Sequence, residues 1–409
     1  MANQYSADFS FYVQLQYYYR QNKGKIRRTY KDLTRKFLDY NDKEVNSNAF
    51  LRKPQFEALM YVFIKEFMDN SQVYKMFELW RKREGVFSEA SYYSVNKNGQ
   101  IRLFDEITEK QTSDIFKAMK GVSEAYPNYI YALAMGLGKT ILMATCIFYE
   151  FLLSNKYPKD ERFCHNALVF APDKTVLQSL KEIVTFDKML VVPPEYARVL
   201  DANMKVHFLD DKSTTLNTLD DSDFNIIISN TQKIIVKKKH VKSTPADTLF
   251  GTSSLLSAVY GEDDLQDDAD LMFNQRFKKL CRLSRIGVYV DEAHHLFGGD
   301  LEKSLRKNTA ETSLRSTINL LADDLARHGT TVVGCYNYTG TPYVKNHVLP
   351  EVVYAYGLKE SIANGYLKDA EINGYANVKS TEFLREIIKD FWGKYGENTY
   401  EGLLPKMAI

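Results

Sequence analysis

Cysteine is scarce in this 409-residue chain, and the few cysteines that occur are far apart. The four thiols lie at Cys146, Cys164, Cys281 and Cys335, with no Cys-x-x-Cys pair among them. That spacing argues against a disulfide framework and against a zinc site built from cysteines. It suits a reducing cytosol, so we expect a cytoplasmic protein.

An excess of charge of either sign is also missing. The chain has 54 Lys and Arg residues against 52 Asp and Glu, which leaves a formal net charge of +2. No global basicity therefore indicates a nucleic-acid partner, and any such partner must meet a local basic surface. Hydrophobic residues make up 44% of the sequence and charged residues 26%, a balance that permits a large core and excludes wholesale disorder.

The sequence also lacks the patterns of a secretory signal and of a membrane span. Residues 1–8 contain no basic segment followed by an apolar one. The apolar stretch from Tyr129 to Leu153 is interrupted by Lys139 and two glycines. It therefore predicts a buried strand, a loop and a buried helix, and we expect no membrane partner.

Short apolar runs alternate with longer mixed segments from Tyr129 onward. Continuous apolar runs separated by helical segments are typical of a parallel sheet that is covered by helices on both faces. We therefore predict an α/β fold with strands at Tyr129–Leu133, Ala167–Ala171, Asn225–Ser229, Ile286–Asp291 and Thr331–Tyr336.

The segment before this sheet is predicted to be mostly helical. Residues 1–50 are rich in aromatic and basic side chains, which fits either an amphipathic helix on the main domain or contact with a single nucleic-acid strand. Apolar residues recur every three or four positions from Gln55 to Asp69, after Pro54, and predict one helix there. Residues 96–99, Asn-Lys-Asn-Gly, predict a hairpin turn within an insertion.

A glycine-rich turn, Ala-Met-Gly-Leu-Gly-Lys-Thr, occupies residues 134–140 between a predicted strand and a predicted helix. Gly136 and Gly138 allow backbone N–H groups to close around phosphates, and the following helix adds its positive amino end. We expect Lys139 to reach the outer phosphates of ATP and the Thr140 hydroxyl to bind Mg²⁺. The alternative is a helix-capping turn that carries a surface lysine.

Two adjacent acids, Asp291 and Glu292, follow the apolar run Ile286–Val290. Ligands of open α/β sheets bind at the carboxyl ends of the parallel strands. We predict that Asp291 holds Mg²⁺ through water and that Glu292 orients and deprotonates the attacking water. His294 and His295 come next, but neighbouring histidines face different ways and no third zinc ligand stands out, so His294 is assigned to coupling between two sites.

These motifs resemble those of superfamily 2 helicases and translocases, and within them the DEAD/DEAH-box motor portion of the Res subunit of type III restriction enzymes. Residues 50–59, Phe-Leu-Arg-Lys-Pro-Gln-Phe-Glu-Ala-Leu, are similar to the adenine-recognising Q motif. The resemblance implies that Gln55 reads the adenine edge and that Arg52 supports it. It also implies ATP contacts from Gly136, Leu137 and Gly138 in motif I.

Motif I departs from the strict pattern in two places. Leu133 stands where the phosphate-loop pattern has glycine, a departure that is common in helicase-like motors. Met135 stands where this group usually has threonine, and Met-Gly-Leu-Gly-Lys-Thr is more similar to Swi/Snf-type translocases.

Four further segments resemble motifs of the family in the family's order. Residues 168–174 resemble motif Ia, 228–234 the next strand-contacting motif, 290–296 motif II and 338–342 motif III. The resemblance implies contacts to the nucleic-acid backbone by Ala171, Pro172, Lys174, Ser229, Asn230, Thr231 and Gln232. It implies coupling of hydrolysis to movement by His294, Thr339, Gly340 and Thr341. The lysines between residues 233 and 242 fit either phosphate contact or an ordinary solvated face.

The resemblance also implies a domain order. It places a RecA-like P-loop domain at residues 50–350, with insertions near 75–125 and 241–280, after an accessory segment at 1–49. Residues 351–409 are predicted to be a linker and the truncated start of a second RecA-like domain. Motifs IV to VI and a nuclease constellation are not found in the sequence, so endonuclease activity is implied for the parent enzyme only.

The function implied is that of an ATP-dependent DNA translocase or helicase. Its cofactors would be ATP and Mg²⁺, and its partners DNA and a modification methyltransferase. A nuclease-free helicase or remodelling translocase of another defence or repair system is the enzymatic alternative. A non-catalytic, nucleotide-sensing DNA-binding module is the alternative from another class, and the intact Lys139–Thr140 and Asp291–Glu292 pairs argue against it.

Overall fold

The chain divides into two compact units, Met1–Ala363 and Asn364–Ile409. The computed structural model describes residues 11–88, 93–95, 101–103, 109–171, 180–209, 216–230, 276–293, 314–344, 347–368, 381–399 and 402–407. The predicted insertion at 241–280 lies almost wholly outside these ranges, as does the lysine-rich segment 233–242.

A seven-stranded parallel sheet forms the centre of the first unit. Its strands, numbered together with two short hairpins, are β3 (Asn128–Leu133), β4 (Asn166–Ala171), β5 (Lys205–Leu209), β6 (Asn225–Asn230), β7 (Ile286–Val290), β8 (Val332–Thr339) and β11 (Val352–Tyr356). They lie side by side in the order β11-β3-β8-β7-β4-β6-β5, and every neighbouring pair is parallel. Every residue of β3, β7 and β8 is buried, as expected for strands covered on both faces.

All five predicted strands are present, and the structure adds two at the edges of the sheet. The prediction missed β5 because Lys205 and His207 break the apolar run of an edge strand that is only partly buried. It missed β11 because that run lies beyond the predicted end of the domain at residue 350. The α/β prediction is confirmed, with β11 adding an edge strand from a segment that was predicted to be linker.

Helices cover this sheet and extend the first unit at its amino end. They are α1 (Phe11–Thr29), α2 (Asp32–Asn41), α3 (Lys53–Ala58), α4 (Met60–Val62), α5 (Val73–Lys82), α6 (Glu109–Gly121), α7 (Lys139–Lys156), α8 (Glu182–Thr185), α9 (Pro194–Asn203), α10 (Leu314–Arg327) and α11 (Leu358–Ala363). No helix in the described part of the chain is long and apolar enough to cross a membrane.

The predicted helix from Gln55 to Asp69 is interrupted. Helix α3 ends before Leu59, whose ψ of 9° leaves the helical range, and α4 then continues into a π-helical turn at Phe63–Phe67. The prediction of one continuous helix from Gln55 to Asp69 was therefore wrong. The wide turn contains Lys65, which is fully buried and paired inside the unit.

The predicted turn at residues 96–99 lies between two short antiparallel strands, β1 (Tyr93–Val95) and β2 (Ile101–Leu103). Residues 96–99 themselves fall outside the described ranges, but the pairing of Val95 with Ile101 confirms the hairpin. A second short hairpin joins β9 (Tyr343–Val344) and β10 (His347–Val348).

Among the described residues of the second unit is a helix, α12 (Thr381–Tyr395), in which no residue is buried. The domain boundaries after residues 49 and 350, and the start of a second RecA-like domain, stay predictions.

Candidate nucleotide-binding site

Three neighbouring strands bring the predicted ATP motifs to one edge of the sheet. Strand β8 lies between β3 and β7, and all three run in the same direction. The glycine-rich turn follows β3, Asp291 follows β7, and Gly340 follows β8. Lys139 and Asp291, which are far apart in the sequence, therefore come together at the carboxyl ends of β3 and β7, on either side of β8.

The glycine-rich turn needs glycine at two positions. Gly136 and Gly138 have φ values of 79° and 75°, in the left-handed region that other residues rarely adopt. A Cβ on Gly138 would also lie 2.6 Å from the Gln55 side-chain nitrogen. Leu137, between them, is buried and anchors the turn to the core, while Met135 is 73% exposed.

Arg52 and Gln55 contact the backbone of this turn directly. The Arg52 guanidinium donates to the Gly136 carbonyl oxygen at 3.1 Å, and the Gln55 amide donates to the Gly138 carbonyl oxygen at 3.1 Å. The Gln55 amide oxygen in turn accepts from the Arg52 backbone N–H at 2.9 Å. The two residues that the Q-motif resemblance selected are thus placed against the turn that it expected them to serve.

Lys139 and Glu292 form an ion pair across the site. Their Nζ and Oε1 atoms are 3.0 Å apart, and the two side chains are 8% and 21% exposed. Helix α7 begins at Lys139, and Glu292 is held with φ at 47°, in the left-handed region, just after β7. Strained backbone of this kind persists where the surrounding structure requires it, often at functional sites.

Asp291 is buried beside this pair. Its backbone N–H donates to the Phe170 carbonyl oxygen at 3.0 Å, and its carboxylate accepts from the Glu292 N–H at 3.0 Å. Burial raises the pKa of Asp291 to about 6, and the nearby Glu292 carboxylate raises it further while Lys139 opposes the shift. A carboxylate desolvated in this way gains from a cation that binds against it.

The oxygen donors at the site suit magnesium. Thr140 is half-buried in the first turn of α7, and Asp291 supplies a carboxylate. Magnesium keeps several of its waters and needs few protein ligands. Nowhere in the described ranges, this site included, is a group of three or more His, Cys, Asp or Glu side chains arranged to hold a metal ion.

The predicted coupling residues lie at the end of β8. Thr339 is the last residue of the strand, and its hydroxyl accepts from the Thr341 N–H at 3.1 Å, which folds the following turn. A Cβ on Gly340 would lie 3.5 Å from the Met135 side chain, so this turn packs against the glycine-rich turn. The Ala293 N–H donates to the Tyr338 carbonyl oxygen at 3.0 Å, which connects the acidic strand end to β8. His294 lies outside the described residues.

The predicted nucleic-acid residues that the structure describes lie further along the same edge. Ala171 of β4 is paired in register with Asn230 of β6, and Phe170 with Ser229. Ser229 is buried. The structure does not describe Pro172, Lys174, Thr231 or Gln232.

Sequence reasoning missed a buried charged network behind the site. Lys65 and Glu150 are paired at 3.0 Å, with side chains 1% and 0% exposed. The Glu150 carboxylate also accepts from the Tyr61 hydroxyl, from the Tyr336 hydroxyl at 3.3 Å and from the Cys164 N–H at 2.7 Å. A signal was available, because Lys65 and Glu150 each interrupt an otherwise apolar run.

Comparison with known proteins identifies the family. The family model described as the Res subunit of type III restriction enzymes matches residues 97–318, which is more than half of the chain. The chain belongs to this Res family. Together with the parallel sheet flanked by helices, the match confirms the predicted RecA-like domain and the resemblance to superfamily 2 helicases. The matched range contains the glycine-rich turn and the two acids, whereas Arg52, Gln55 and the turn after β8 lie outside it.

Comparison with curated proteins finds no match for this Res-family chain. Among solved structures, it is similar to a nuclease-deletion mutant of the type ISP restriction-modification enzyme LlaGI, solved in complex with a DNA substrate mimic. The sequences are 10% identical, the TM-score is 0.25, and the alignment covers 72% of this chain and 23% of LlaGI. The Res-family chain thus spans less than a quarter of the length of that enzyme.

Proposed function

We propose that this chain is the ATP-binding part of a DNA translocase or helicase motor. The observation that carries the proposal is the 3.0 Å pairing of Lys139 with Glu292, beside the buried Asp291 and opposite two glycines with positive φ. A lysine, a metal-binding acid and a water-activating acid are the groups that phosphoryl transfer to water needs at one place.

We expect Lys139 to exchange its ion-pair partner, Glu292, for phosphate when a nucleotide binds. Its ammonium group is paired with the Glu292 carboxylate at 3.0 Å. Phosphate oxygens held by the backbone of residues 136–138 would compete for that ammonium group, because charge-assisted bonds to phosphate are strong. Binding of the phosphates would therefore release the Glu292 carboxylate from its ion pair.

With Lys139 bound to phosphate, Glu292 would act as the base. Its position one residue after the buried Asp291 directs it toward the same site, where it would orient a water molecule and accept a proton from it. Thr140 and Asp291 are the residues that would hold Mg²⁺. When bound, this ion neutralises charge that develops on the phosphate oxygens.

Arg52 and Gln55 would select the base. Both are already fixed on the glycine-rich turn by hydrogen bonds of 3.1 Å, so adenine contacts at these side chains would be transmitted to the phosphate-binding backbone. Selection of ATP over other nucleoside triphosphates is the expected result.

The nucleic-acid partner is proposed to be duplex DNA, contacted on its backbone. Ala171, Ser229 and Asn230 lie at the ends of neighbouring strands on the edge that also carries the ATP motifs. Backbone contacts position a strand without reading its sequence, so specificity would have to come from elsewhere. Membership of the Res family supports a modification methyltransferase as the partner subunit.

The experiment compares three variants in ATP binding and in DNA-stimulated ATP hydrolysis. Lys139→Ala should lose nucleotide binding. Glu292→Gln should keep binding and lose hydrolysis by roughly 10²–10⁴-fold, the usual contribution of a general base. Lys156→Ala, at the exposed carboxyl end of the same helix α7, is the matched control and should behave as the parent protein.

Two outcomes would overturn the proposal. Equal nucleotide binding by the parent protein and Lys139→Ala would show that the glycine-rich turn does not bind phosphates. Unchanged hydrolysis in Glu292→Gln would remove this residue from the reaction. DNA binding that neither variant alters, in a protein that never hydrolyses ATP, would favour the non-catalytic DNA-binding module.

A further inference from the structure

A cavity that is separate from the glycine-rich turn lies in the first unit, between α1, the end of α2 and α3. Its volume is about 330 Å³, which falls in the range of small-molecule pockets, roughly 300–1,000 Å³. Within the described part of the chain, its lining includes no residue of the glycine-rich turn and neither of the two acids after β7.

The cavity uses the opposite face of the helix that carries Gln55. Lys53, Phe56 and Met60 line it, at positions three and four residues apart along α3 and the start of α4. Successive residues of a helix are rotated by about 100°, so these positions share one face while Gln55 points to the other. Gln55 accordingly contacts Gly138, on the side of the glycine-rich turn.

Aromatic rings form much of the wall. Tyr19 of α1, Phe56 of α3 and Tyr354 of β11 all line the cavity, together with aliphatic side chains. The Tyr354 hydroxyl is already satisfied by the Pro54 carbonyl oxygen at 2.9 Å, which fixes that ring in place. Fixed aromatic faces of this kind suit a planar ring that can stack on them.

Positive charge at the rim exceeds the acids available to neutralise it. Arg20 is paired with Glu57, and Lys23 lies near two carboxylates. Lys43 and Lys53 also line the cavity, are exposed, and pair with no carboxylate among the described residues. A ligand with a negative charge would meet these two ammonium groups.

Asn41 adds an unsatisfied hydrogen-bond acceptor. It lines the cavity and is fully buried, and its amide nitrogen donates to the carbonyl oxygens of Phe37 and Val191 at 2.9 and 2.8 Å. Because both partners are acceptors, the orientation of the amide is determined. Its oxygen, Oδ1, is buried without a hydrogen-bond partner in the described structure, which is costly unless a donor is supplied.

We propose that this cavity binds a purine nucleoside monophosphate, at a site separate from the glycine-rich turn. The purine stacks on the aromatic wall, and the phosphate lies at Lys43 and Lys53. An N–H of the base donates to Asn41 Oδ1 once that buried amide shifts toward the cavity. The proposal does not depend on ATP binding at Lys139. Its position on the reverse face of α3 makes the occupant a regulator of the helix that carries Gln55.

The test uses AMP with the full 409-residue chain carrying Lys139→Ala, which weakens binding at the glycine-rich turn. Calorimetry should detect one AMP per chain. Lys43→Glu should weaken that binding by about tenfold or more, the effect of losing a charge-assisted contact. Gln16→Trp, which fills the cavity from α1, should abolish it.

Three controls separate the sources of binding. Lys25→Glu makes the same charge change at an exposed position of α1 that does not line the cavity, and should leave AMP binding unchanged. Ribose 5-phosphate, which has no base, should not bind measurably. Circular dichroism melting of each variant verifies that it is folded, and Lys43→Glu alters only an exposed side chain.

Photolabelling with 8-azido-AMP locates the bound ligand. Label on peptides that contain Tyr19 or Tyr354, which are distant in sequence from Gln55, would support the proposal. Absence of AMP binding, binding that Lys43→Glu and Gln16→Trp do not alter, or label confined to the glycine-rich turn would overturn it. Loss of ATP hydrolysis at Lys139 bears on the proposed motor function alone and leaves this result unaffected.

Discussion

Two lysine–glutamate ion pairs in this protein have the same 3.0 Å separation but differ in how far they are enclosed by the protein. Lys65–Glu150 is fully buried behind the sheet, whereas Lys139–Glu292 lies at the sheet edge with the glutamate 21% exposed. The chemistry of the two pairs is identical, so the difference between them comes from the surroundings.

Both members of the buried pair make further hydrogen bonds inside the protein. Both oxygens of Glu150 accept hydrogen bonds, and Lys65 also donates to the Tyr336 hydroxyl at 2.9 Å. Burying two charges is tolerated only when such additional bonds satisfy them. The pair joins the π-helical turn, α7 and β8, and no ligand can reach it.

The pair at the sheet edge is more exposed than the buried pair. Lys139 directly follows the glycine-rich turn, and Glu292 is 21% exposed and held in left-handed backbone just after β7. An ion pair that a ligand can displace is a functional element, while one that nothing can displace is a structural element. The comparison predicts which lysine the fold depends on.

Breaking the buried pair should have the largest effect on stability. We expect Lys65→Met to lower the free energy of unfolding by about 3–5 kcal/mol, because it leaves Glu150 charged and buried. Lys139→Met should cost about 1 kcal/mol or less, because its partner can be solvated. Urea unfolding of both variants measures the difference.

The second substitution at the same pair provides the control. Adding Glu150→Gln to Lys65→Met removes the stranded charge and keeps an acceptor for Tyr61 and Tyr336, so it should restore more than half of the loss. Equal destabilisation by Lys65→Met and Lys139→Met would contradict the distinction between the two pairs.

Much of the candidate site at the carboxyl ends of β3 and β7 could be predicted from the sequence because its residues follow short, regular patterns. Gly136, Gly138 and Lys139 occupy one turn, and Asp291 ends an apolar strand, so their chemistry and their place on a parallel sheet follow from local sequence. The five central strands were predictable for the same reason, since each is a continuous buried run.

The rest depends on contacts between distant segments. Nothing in the sequence near Glu292 indicates that its carboxylate lies 3.0 Å from Lys139, or that Gln55 donates to Gly138. The interruption of the helix after Ala58 was equally unpredictable from periodicity, because the pattern continues through Lys65. Edge strand β5 was missed because a half-buried strand tolerates polar residues.

Another buried acid, Glu351, extends the comparison to the pH dependence of stability. Glu351 is buried like Glu150, but its cation, Arg315, lies 3.9 Å away, and Asn128 donates to it at 2.7 Å. Burial raises the pKa of Glu351 to about 7 from its usual 4.5, with Arg315 opposing the shift. Because the folded pKa is the higher one, the folded state binds the proton more tightly than the unfolded state.

Its contribution to stability is therefore fully present below about pH 4.5 and is lost as pH rises to about 7. At about 1.4 kcal/mol per pKa unit, we expect the loss to approach about 2–4 kcal/mol. Urea unfolding at pH 5 and pH 8 should show a smaller decline in Glu351→Gln than in the parent protein. The decline that remains in the variant is expected from Asp291, whose pKa is also raised. If the free energy of unfolding changed with pH in the same way in both proteins, the Glu351 carboxylate would be as well paired as that of Glu150.

The smallest expected effect tests how closely the ATP site is packed. Gly138 and Gly329 both have a φ of 75°, but a Cβ at Gly138 would meet the Gln55 amide at 2.6 Å, whereas nothing lies within 4 Å at Gly329. Both alanine substitutions carry the same backbone strain. Gly138→Ala should cost about 1 kcal/mol more, because Gln55 must give up its hydrogen bond to the turn.

A double-mutant cycle isolates that contact. In a Gln55→Ala background the side chain that obstructs the new Cβ is gone, so Gly138→Ala and Gly329→Ala should cost the same. If Gly138→Ala remains the more costly of the two in that background, the turn is constrained by its own backbone and not by Gln55. If the two cost the same even in the parent protein, the Gln55 amide moves aside freely. Its side chain is then less firmly joined to the glycine-rich turn than to the Arg52 backbone N–H at 2.9 Å.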